Sequence, residues 1–279
     1  MAIVTPPPAP KPFLKWAGGK TRIVDRIRAA LPPGRRLVEP FVGSATVFLH
    51  TDYPTALLAD RNADLIRVYQ QLRRDGDGFI ARCAAYFTPE NNTPQRYYHW
   101  RAVFNATTDP AERAALFVYL NRHGFNGLSR VNAAGQWNVP FGRYAAPRLP
   151  AAAMAAFAAK AARALIVPGD FRTVLASAQR GDVVYCDPPY VPLSETARFT
   201  GYTAGGFSGE DQRELAAWAR RLAARGLPVL ISNHDTPWTR ELYGDAALTS
   251  FAVRRSIAAH GARRGPVPEL LALFAPRKR

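Results

Sequence analysis

The sequence predicts an α/β fold with an open, mostly parallel sheet and an inserted, mainly helical domain. Three observations support this prediction. Short apolar runs rich in β-branched residues recur along the chain, helical patterns separate several of them, and one long stretch interrupts the alternation. Repeated strand–helix–strand units form parallel sheets covered by helices. Because ligands bind at the carboxyl ends of such strands, the residues that follow the strands are the first candidates for function.

Five runs have the length and composition of buried parallel strands. They lie at 36–39, 55–60, 164–167, 182–186 and 228–232. Helical patterns occupy three further segments, 21–31, 152–163 and 209–225. Two later runs, 248–254 and 269–274, are predicted to close the sheet as an antiparallel pair.

Residues 63–150 do not continue this alternation. The stretch begins with helical, aromatic-rich sequence and passes into a loop-rich region dense in Asn, Gly and Arg. We therefore predict that 63–150 is an inserted domain, and that 13–62 and 151–279 together form the core domain. Residues 1–12 are rich in proline, which enters neither a helix interior nor a central strand, and are predicted to be a flexible tail.

The charge balance indicates a polyanionic partner. The 279-residue chain has 37 Lys and Arg residues against 21 Asp and Glu, a formal net charge of +16, and 48% of its residues are hydrophobic. That hydrophobic content excludes a disordered basic tail. Arginine accounts for 32 of the 37 basic residues, and its planar guanidinium suits phosphates and guanine edges, which favours nucleic acid. An arginine-rich proteome is the alternative explanation.

Cysteine use and hydropathy predict a cytoplasmic location. Cys83 and Cys186 lie in different kinds of segment and lack metal-ligand spacing, so neither a disulfide framework nor a metal site is predicted. No run approaches the ~20 apolar residues of a membrane helix, and the start of the chain lacks the apolar centre of a signal peptide.

The most specific motif is Asp187-Pro188-Pro189-Tyr190, directly after the predicted strand 182–186. Such a motif suits a reaction at a planar amino group, such as that of adenine. The exocyclic nitrogen of adenine is a poor nucleophile, because its lone pair is delocalised into the ring. A carboxylate that accepts one N–H, with the Pro188 carbonyl accepting the other, favours the pyramidal nitrogen needed for methyl transfer. Tyr190 would stack on a base extracted from a duplex. We interpret these four residues as catalytic; a strand followed by a polyproline turn is the structural alternative.

A second motif, 38–46, runs from a predicted strand into a turn of small residues that opens a helix. Such a turn, here with Gly43, lets the backbone approach a cofactor closely. About twenty residues further on, Asp60 ends the next strand, at the spacing where an acid binds ribose hydroxyls. Together these features predict an adenosine-containing cofactor.

A third segment, 13–20, combines aromatic residues and glycines with two lysines. A phosphate-binding loop requires a glycine at the position that Leu14 occupies, so nucleotide hydrolysis is not predicted. We interpret the segment as a loop that closes over the cofactor, with Trp16 against its apolar surface.

Taken together, these segments resemble the Dam-type, site-specific DNA adenine-N6 methyltransferases, the D12 class or alpha group. The similarity runs from about Phe13 to Phe274 and includes the three motifs in the same order. Further matching stretches are Tyr119-Leu120-Asn121-Arg122, Asn126-Gly127-Leu128, residues 138–144 and residues 228–236, the last with Ile231-Ser232-Asn233-His234-Asp235.

The resemblance implies a Rossmann-like class I methyltransferase core. It implies S-adenosylmethionine as the methyl donor, and as the target an adenine within GATC that is flipped out of double-stranded DNA. It further implies a protein that acts as a monomer in a bacterial cytoplasm, where it is either associated with the nucleoid or encoded by a phage. Neither a membrane nor a metal is expected to take part. The residues that it places in the cofactor site are Trp16, Lys20, Glu39, Phe41, Gly43, Asp60, Asp170, Phe171 and Asp187.

The resemblance also implies that the inserted domain recognises DNA. It assigns base recognition to Lys15, Leu128, Arg130 and Pro140, and intercalation beside the target adenine to Phe125. Residues that would hold phosphates or the DNA around the site are Asn126, Asn132, Arg143 and Tyr144. Arg130 can donate two hydrogen bonds to a guanine edge, and Phe125 can fill the gap left by an extruded base.

Two positions depart from the pattern of the family. Ala45 stands where family members commonly have a second glycine, and Phe125 replaces the more usual tyrosine. Two other functions stay open on the sequence alone. One is an amino-group methyltransferase that acts on RNA or on a protein amide, and the other is a DNA-binding module without catalytic activity.

Overall fold

The computed structural model describes residues 11–191, 206–254 and 266–276 of the chain. The strands in these ranges are β1 (Arg36–Glu39), β2 (Thr55–Asp60), β3 (Ala164–Pro168), β4 (Asp182–Cys186), β5 (Val229–His234), β6 (Ala247–Arg254) and β7 (Pro266–Phe274). The α-helices in these ranges are α1 (Val24–Ala30), α2 (Thr46–His50), α3 (Ala63–Arg74), α4 (Gly76–Ala84), α5 (Pro94–Ala106), α6 (Pro110–His123), α7 (Ala151–Ala161), α8 (Phe171–Ala176), α9 (Gly209–Ala224) and α10 (Pro237–Leu242).

The strands form one sheet in the order β3-β2-β1-β4-β5-β7-β6. β1 pairs in parallel with β2 and β4, and β4 pairs in parallel with β5. The last two strands are antiparallel to each other, and β7 is antiparallel to β5. The sheet confirms the predicted α/β class with its mostly parallel, Rossmann-like core, and it confirms the predicted closing pair.

The fifth strand extends two residues beyond its predicted end. β5 continues through Asn233 and His234, which pair with Leu270 and Glu269 of β7. The prediction ended the strand at Ser232 because polar residues follow the apolar run. That end is wrong, since Ser232, Asn233 and His234 are all buried.

The chain folds into two compact units, which we call the sheet unit and the helical unit. The sheet unit comprises Arg22–Val42, Asp52–Arg61 and the described residues from Gly169 onward. Every residue of β4 and β5 is buried, as expected for central strands. The amino ends of β1 and β4 are joined by Arg36 and Asp182, whose guanidinium and carboxylate make two hydrogen bonds of 2.9 and 2.6 Å.

The helical unit comprises residues 11–21, Gly43–Thr51 and Asn62–Pro168. Its core includes an aromatic cluster in which Tyr69 and Phe157 stack with ring centroids 4.6 Å apart and Phe13 packs edge-on against both. The Asp64 carboxylate bridges from α3 to Arg113 of α6, with N–O distances of 2.6 and 3.0 Å. The predicted insertion at 63–150 lies inside this unit; its assignment as a separate functional domain stays a prediction.

Within residues 11–191, 206–254 and 266–276, no helix is both long and apolar enough to cross a membrane. In the same part of the chain, no group of three His, Cys, Asp or Glu side chains is arranged to hold a metal ion.

Candidate active site

Asp187 stands at the carboxyl end of a central strand. It directly follows β4, all five residues of which are buried, while Asp187 and Tyr190 are partly exposed and Pro188 is buried. Because β4 lies between β1 and β5, the segment after it emerges at the middle of the parallel strands' carboxyl edge. The motif therefore occupies the position that the sequence predicted for it.

The side chain of Asp187 is bound by a hydroxyl from the next strand. Ser232 Oγ, on β5, donates to Asp187 Oδ1 over 2.9 Å, and Tyr185 Oη lies 2.9 Å from the same Ser232 Oγ. Burial raises the pKa of Tyr185 well above its ordinary value. The carboxylate thus sits at the end of a short series of hydroxyl groups inside the sheet.

The backbone of the motif is held by two buried amides. Gln212 of α9 donates from Nε2 to the Pro189 carbonyl over 2.7 Å, and Asn233 Oδ1 accepts from the Val191 N–H at 3.2 Å. Asn233 Nδ2 in turn donates to Gln212 Oε1 over 3.1 Å. In the described part of the chain, the Pro188 carbonyl has no hydrogen-bond donor, unlike that of Pro189.

Tyr190 is oriented by His234. The two rings meet edge to face with centroids 4.9 Å apart, and His234 Nδ1 lies 2.6 Å from the Val191 carbonyl. Because a carbonyl only accepts, that nitrogen carries the proton. Consecutive residues of β5 thus contact Asp187, the backbone near Val191, and Tyr190.

Cys186 takes no part in this arrangement. It is fully buried, and burial raises its pKa far above the ordinary value, with the nearby carboxylates of Asp187 and Glu39 acting in the same direction. A thiol that stays protonated is a poor nucleophile. Its position next to Asp187 therefore reflects core packing.

β1 and β2, the next two strands on one side of β4, each end in an acidic residue. Glu39, the last residue of β1, is buried, and Asp60, the last residue of β2, is partly exposed. The Asp60 carbonyl accepts from the Gly169 N–H at 3.1 Å. The Asp60 carboxylate is therefore positioned at the edge of the sheet where ribose hydroxyls are bound in related folds.

Three phenylalanines form a cluster in the sheet unit. Phe41, after β1, stacks on Phe171 with centroids 5.5 Å apart, and Phe207 packs against both rings at 5.5 and 5.4 Å. Asp170 caps α8 by accepting from the Arg172 N–H at 3.0 Å, and it also pairs with the Arg172 guanidinium. Phe41 and Phe171 were predicted cofactor residues, whereas Phe207 was not.

The other predicted cofactor residues, Trp16, Lys20 and Gly43, belong to the helical unit. Gly43 has φ +46°, and its carbonyl accepts from Tyr69 Oη at 2.5 Å. The buried Lys20 donates from Nζ to the Gly18 carbonyl over 2.6 Å. The turn therefore adopts the left-handed conformation that its glycine favours.

Ala45 also has a left-handed backbone, with φ +57°, and it is fully buried at the start of α2. The commoner glycine at this position in the family fits the conformation without a β-carbon clash. In this chain, therefore, a residue with a β-carbon holds a backbone conformation that favours glycine.

Lys15, Gly127 and Tyr144 are brought close together in the helical unit. Lys15 Nζ lies 3.7 Å from the Tyr144 ring centroid, and Asn121 joins the Lys15 carbonyl to the Gly127 carbonyl through its Nδ2 at 2.8 and 3.1 Å. Gly127 has φ +61°, and a β-carbon there would come within 2.3 Å of the Lys15 side chain. Only glycine allows this close approach.

Arg130 and Asn132 lie in an exposed loop whose base is fixed. Arg130 Nε donates to Asn138 Oδ1 over 2.7 Å, and Asn132 Oδ1 accepts from the backbone N–H of Gln136 at 3.0 Å. Trp137 is buried between Phe104 and Phe117 and anchors the loop to the helices. The loop therefore presents polar side chains to solvent from a rigid support.

Phe125 is a large apolar side chain that faces solvent. It is 48% exposed, and its N–H donates to the Pro140 carbonyl over 2.9 Å. Asn126 and Arg143 are exposed and have φ of +53° and +54°. Leu128 is partly buried and Pro140 is exposed. The predicted DNA-binding residues thus fall on loops and on the short 3-10 helix Phe125–Gly127, outside the α-helices.

The side chains that support the motif were not among the predicted site residues. Ser232, Asn233 and Gln212 were not predicted as functional residues, and Tyr185 was treated as part of a buried strand. One feature of the sequence indicated Ser232 and Asn233. They are polar residues at the end of an apolar strand, and that strand lies next to the one that Asp187 follows. Gln212 and Phe207 had no such indication, because their contacts are distant in sequence.

Comparison with known proteins agrees with this geometry. A family model described as D12 class N6 adenine-specific DNA methyltransferase matches residues 16–257. The DNA adenine methylase of Escherichia coli (strain K12) is 49% identical over 264 residues, which cover 95% of each chain. That of Serratia marcescens is 49% identical over 263 residues, covering 94% of this chain and 97% of the relative.

A relative from Vibrio cholerae serotype O1 (strain ATCC 39541 / Classical Ogawa 395 / O395), also a DNA adenine methylase, is 48% identical over 265 residues, covering 95% of this chain and 96% of the relative. The alternatives of an RNA or protein methyltransferase and of an inactive DNA-binding module lose their support here. Since the family model spans most of the chain and the relatives align with nearly all of it, the chain belongs to the D12 class N6 adenine-specific DNA methyltransferases.

Proposed function

We propose that this enzyme transfers a methyl group from S-adenosylmethionine to N6 of an adenine within GATC, after that base has flipped out of double-stranded DNA. The observation that carries the proposal is the arrangement after β4, where a fixed carboxylate, a carbonyl and an aromatic ring follow one another in four residues. Their chemistry matches what an adenine amine requires.

Asp187 and the Pro188 carbonyl are the two acceptors for the N6 amine. Each accepts one N–H of the amino group, which favours a pyramidal nitrogen with its lone pair directed away from both acceptors. S-adenosylmethionine, when bound, supplies an electrophilic methyl group on a positively charged sulfur. Pro189 keeps the turn rigid, and Tyr190 stacks on the face of the flipped base.

The described residues fit an adenosine-containing donor. The partly exposed Phe41 stacks on the buried Phe171 with centroids 5.5 Å apart, and its ring would give an adenine an apolar contact. The Asp60 carboxylate at the end of β2 suits ribose hydroxyls, and the buried Glu39 adds a second acceptor at the end of β1. The remaining residues that we assign to this site are Trp16, Lys20, Gly43 and Asp170.

The exposed loops of the helical unit are proposed to bind DNA, and 63–150 is proposed to act as the recognition domain. Phe125 would fill the space of the flipped adenine, offsetting part of an unstacking cost of a few kcal/mol. Asn138 holds Arg130 at Nε through its side chain over 2.7 Å and at Nη2 through its carbonyl over 3.4 Å, and the exposed guanidinium would turn its terminal nitrogens to a guanine edge. Further base contacts are assigned to Lys15, Leu128 and Pro140, and contacts to the surrounding DNA to Asn126, Asn132, Arg143 and Tyr144.

One copy of the chain carries all of these residues, so we propose that a monomer is sufficient for activity. The three relatives named above come from bacteria, and the proposed site of action is the bacterial cytoplasm, at chromosomal or phage DNA. After transfer the nitrogen carries the methyl group and both of its hydrogens, so one of these two protons leaves to solvent and the other stays on the methylated amine.

Radiolabelled S-adenosylmethionine tests the proposal directly. The protein is incubated with a 20-base-pair duplex containing GATC, with the same duplex carrying GTTC at that position, and with RNA and protein extracts. We expect label only in the first duplex. Replacing the target adenine by 2-aminopurine should raise its fluorescence on binding, because the flipped base is unstacked. Label in RNA or protein alone, or equal label in both duplexes, would contradict the proposal.

A further inference from the structure

We propose that Tyr185 and Ser232 are positioning residues for methyl transfer: a directed series of hydroxyl groups, from Tyr185 through Ser232, fixes the carboxylate of Asp187. The inference rests on the proposed role of Asp187 as an acceptor for the substrate amine. It adds two residues that do not touch the substrate themselves.

The geometry of the series follows from the sheet register. Cys186 of β4 is paired with Ile231 of β5, so the next residues on the two parallel strands, Asp187 and Ser232, stand side by side. Ser232 Oγ is 2.9 Å from Asp187 Oδ1 and 2.9 Å from Tyr185 Oη. Ser232 Oγ is therefore within hydrogen-bond distance of both other oxygens and lies between them in the series.

The direction of the series is set by the available protons. A buried phenol stays protonated, because burial disfavours the phenolate and raises the pKa of Tyr185. If Tyr185 donates to Ser232, the single Ser232 proton is left for an acceptor. Asp187 Oδ1 at 2.9 Å is closer than the Cys186 carbonyl at 3.5 Å, and it is charged. The proton therefore points to Asp187.

The consequence for Asp187 concerns both its orientation and its charge. A carboxylate fixed at one oxygen cannot rotate freely, and hydrogen bonding to the charged form favours that form. The titratable groups that also face this part of the sheet are Glu39 from β1, Cys186 from β4, Tyr190 from the motif and His234 from β5. Loss of the Ser232 donor should leave Asp187 less ordered and easier to protonate.

The test uses shape-preserving variants of the full chain. Tyr185→Phe and Ser232→Ala each remove one hydroxyl, and Tyr53→Phe and Ser177→Ala remove matched hydroxyls that donate only to backbone carbonyls elsewhere in the sheet unit. Single-turnover methylation of GATC duplex, the dissociation constants for DNA and for S-adenosylmethionine, and the pH dependence of the rate are measured. Thermal unfolding reports whether each variant folds.

We expect the rate constant of Ser232→Ala to fall by roughly 10- to 100-fold, as for other residues that orient a reacting group. The two dissociation constants should stay within about twofold of wild type, and the acidic limb of the pH profile should move to higher pH. Tyr185→Phe should act in the same direction more weakly. The double variant should be no slower than Ser232→Ala, because Tyr185 acts through Ser232.

Several results would overturn the inference. They are wild-type rates in both variants, an unmoved acidic limb, or additive losses in the double variant. Equal losses in Tyr53→Phe would also overturn it. If Ser232→Ala fails to fold, Tyr185→Phe decides alone through its pH profile. Failure of the proposed function is distinguishable, since the wild-type protein would then not methylate the GATC duplex, whereas failure of this inference alone leaves wild-type methylation intact.

Discussion

The indole of Trp16 lies against Gly43, so close that a β-carbon on Gly43 would come within 2.9 Å of Trp16 Nε1. The same glycine has φ +46°, a conformation that residues with a β-carbon rarely adopt. This position therefore excludes side chains for two independent reasons.

Gly43→Ala should lower the free energy of unfolding by roughly 2–3 kcal/mol, through backbone strain and displacement of Trp16. It should also weaken the binding of S-adenosylmethionine, which calorimetry measures. Gly135→Ala is the matched control, because Gly135 has φ +74° but nothing within 4 Å of a β-carbon. It should cost about 1 kcal/mol, from strain alone. Equal effects of the two substitutions would show that displacement of Trp16 does not contribute to the loss of stability.

Asp187→Ala should abolish methylation and leave DNA binding within a few-fold of wild type. The carboxylate is proposed to act on the substrate amine, whereas the exposed loops hold the duplex. Filter-based methylation and fluorescence anisotropy with the same oligonucleotide measure the two properties. Turnover above about one-hundredth of the wild-type rate would refute the assigned role, since loss of a single transition-state acceptor costs about that much or more.

Arg130→Ala and Arg143→Ala should change different properties of DNA binding, the first sequence discrimination and the second overall affinity. Arg130 is proposed to recognise a guanine, so its loss should relax discrimination at one base pair by about 1–3 kcal/mol. Arg143 is proposed to hold phosphate, so its loss should weaken binding to all sequences alike and reduce the salt dependence by about one unit of slope. Binding to every single-base variant of GATC, at several salt concentrations, separates the two. Indistinguishable profiles would contradict this division.

The stability of the protein should fall as the pH drops below about 6.5. His123 is buried, and burial lowers its pKa to about 4, so the folded protein keeps it neutral while the unfolded chain takes up a proton near pH 6.5. The unfolded state binds more protons between these values, so stability is lost progressively from about pH 6.5 to about pH 4. The loss should be on the order of 1–3 kcal/mol.

Urea unfolding at several pH values measures this effect. His123→Gln should flatten the dependence over that range, although it also removes the bond from Nδ1 to the Tyr119 carbonyl. His99→Gln changes an exposed histidine and should leave the dependence as in wild type. An unchanged slope in His123→Gln would show that another group is responsible.

Much of the fold was predictable because apolar runs of strand length mark the buried parallel strands. The end of β5 was not predictable in this way, since the polar run at 232–234 has the composition of a loop. The structure buries these side chains because each finds a partner: Ser232 bonds Asp187, Asn233 bonds Gln212, and His234 bonds the Val191 carbonyl. Composition alone does not reveal partners on other elements.

The candidate site was predictable in part for a similar reason. Asp187, Asp60 and Gly43 belong to local motifs in which strand end, turn and residue type coincide, so the sequence indicates them. Gln212 bonds Pro189 from a helix that begins twenty residues later in the chain, and Phe207 joins Phe41 across a still longer separation. Such contacts depend on the tertiary fold, which no local pattern encodes.

In the described part of the chain, side chains from β5 and α9 hold the Asp-Pro-Pro-Tyr segment. The acceptors are therefore preorganised before any duplex arrives, and the entropy of ordering them is lost once, on folding, rather than in each catalytic cycle. Variation in turnover among substrate sequences would then arise in the DNA, from how readily each site releases its adenine from the stack.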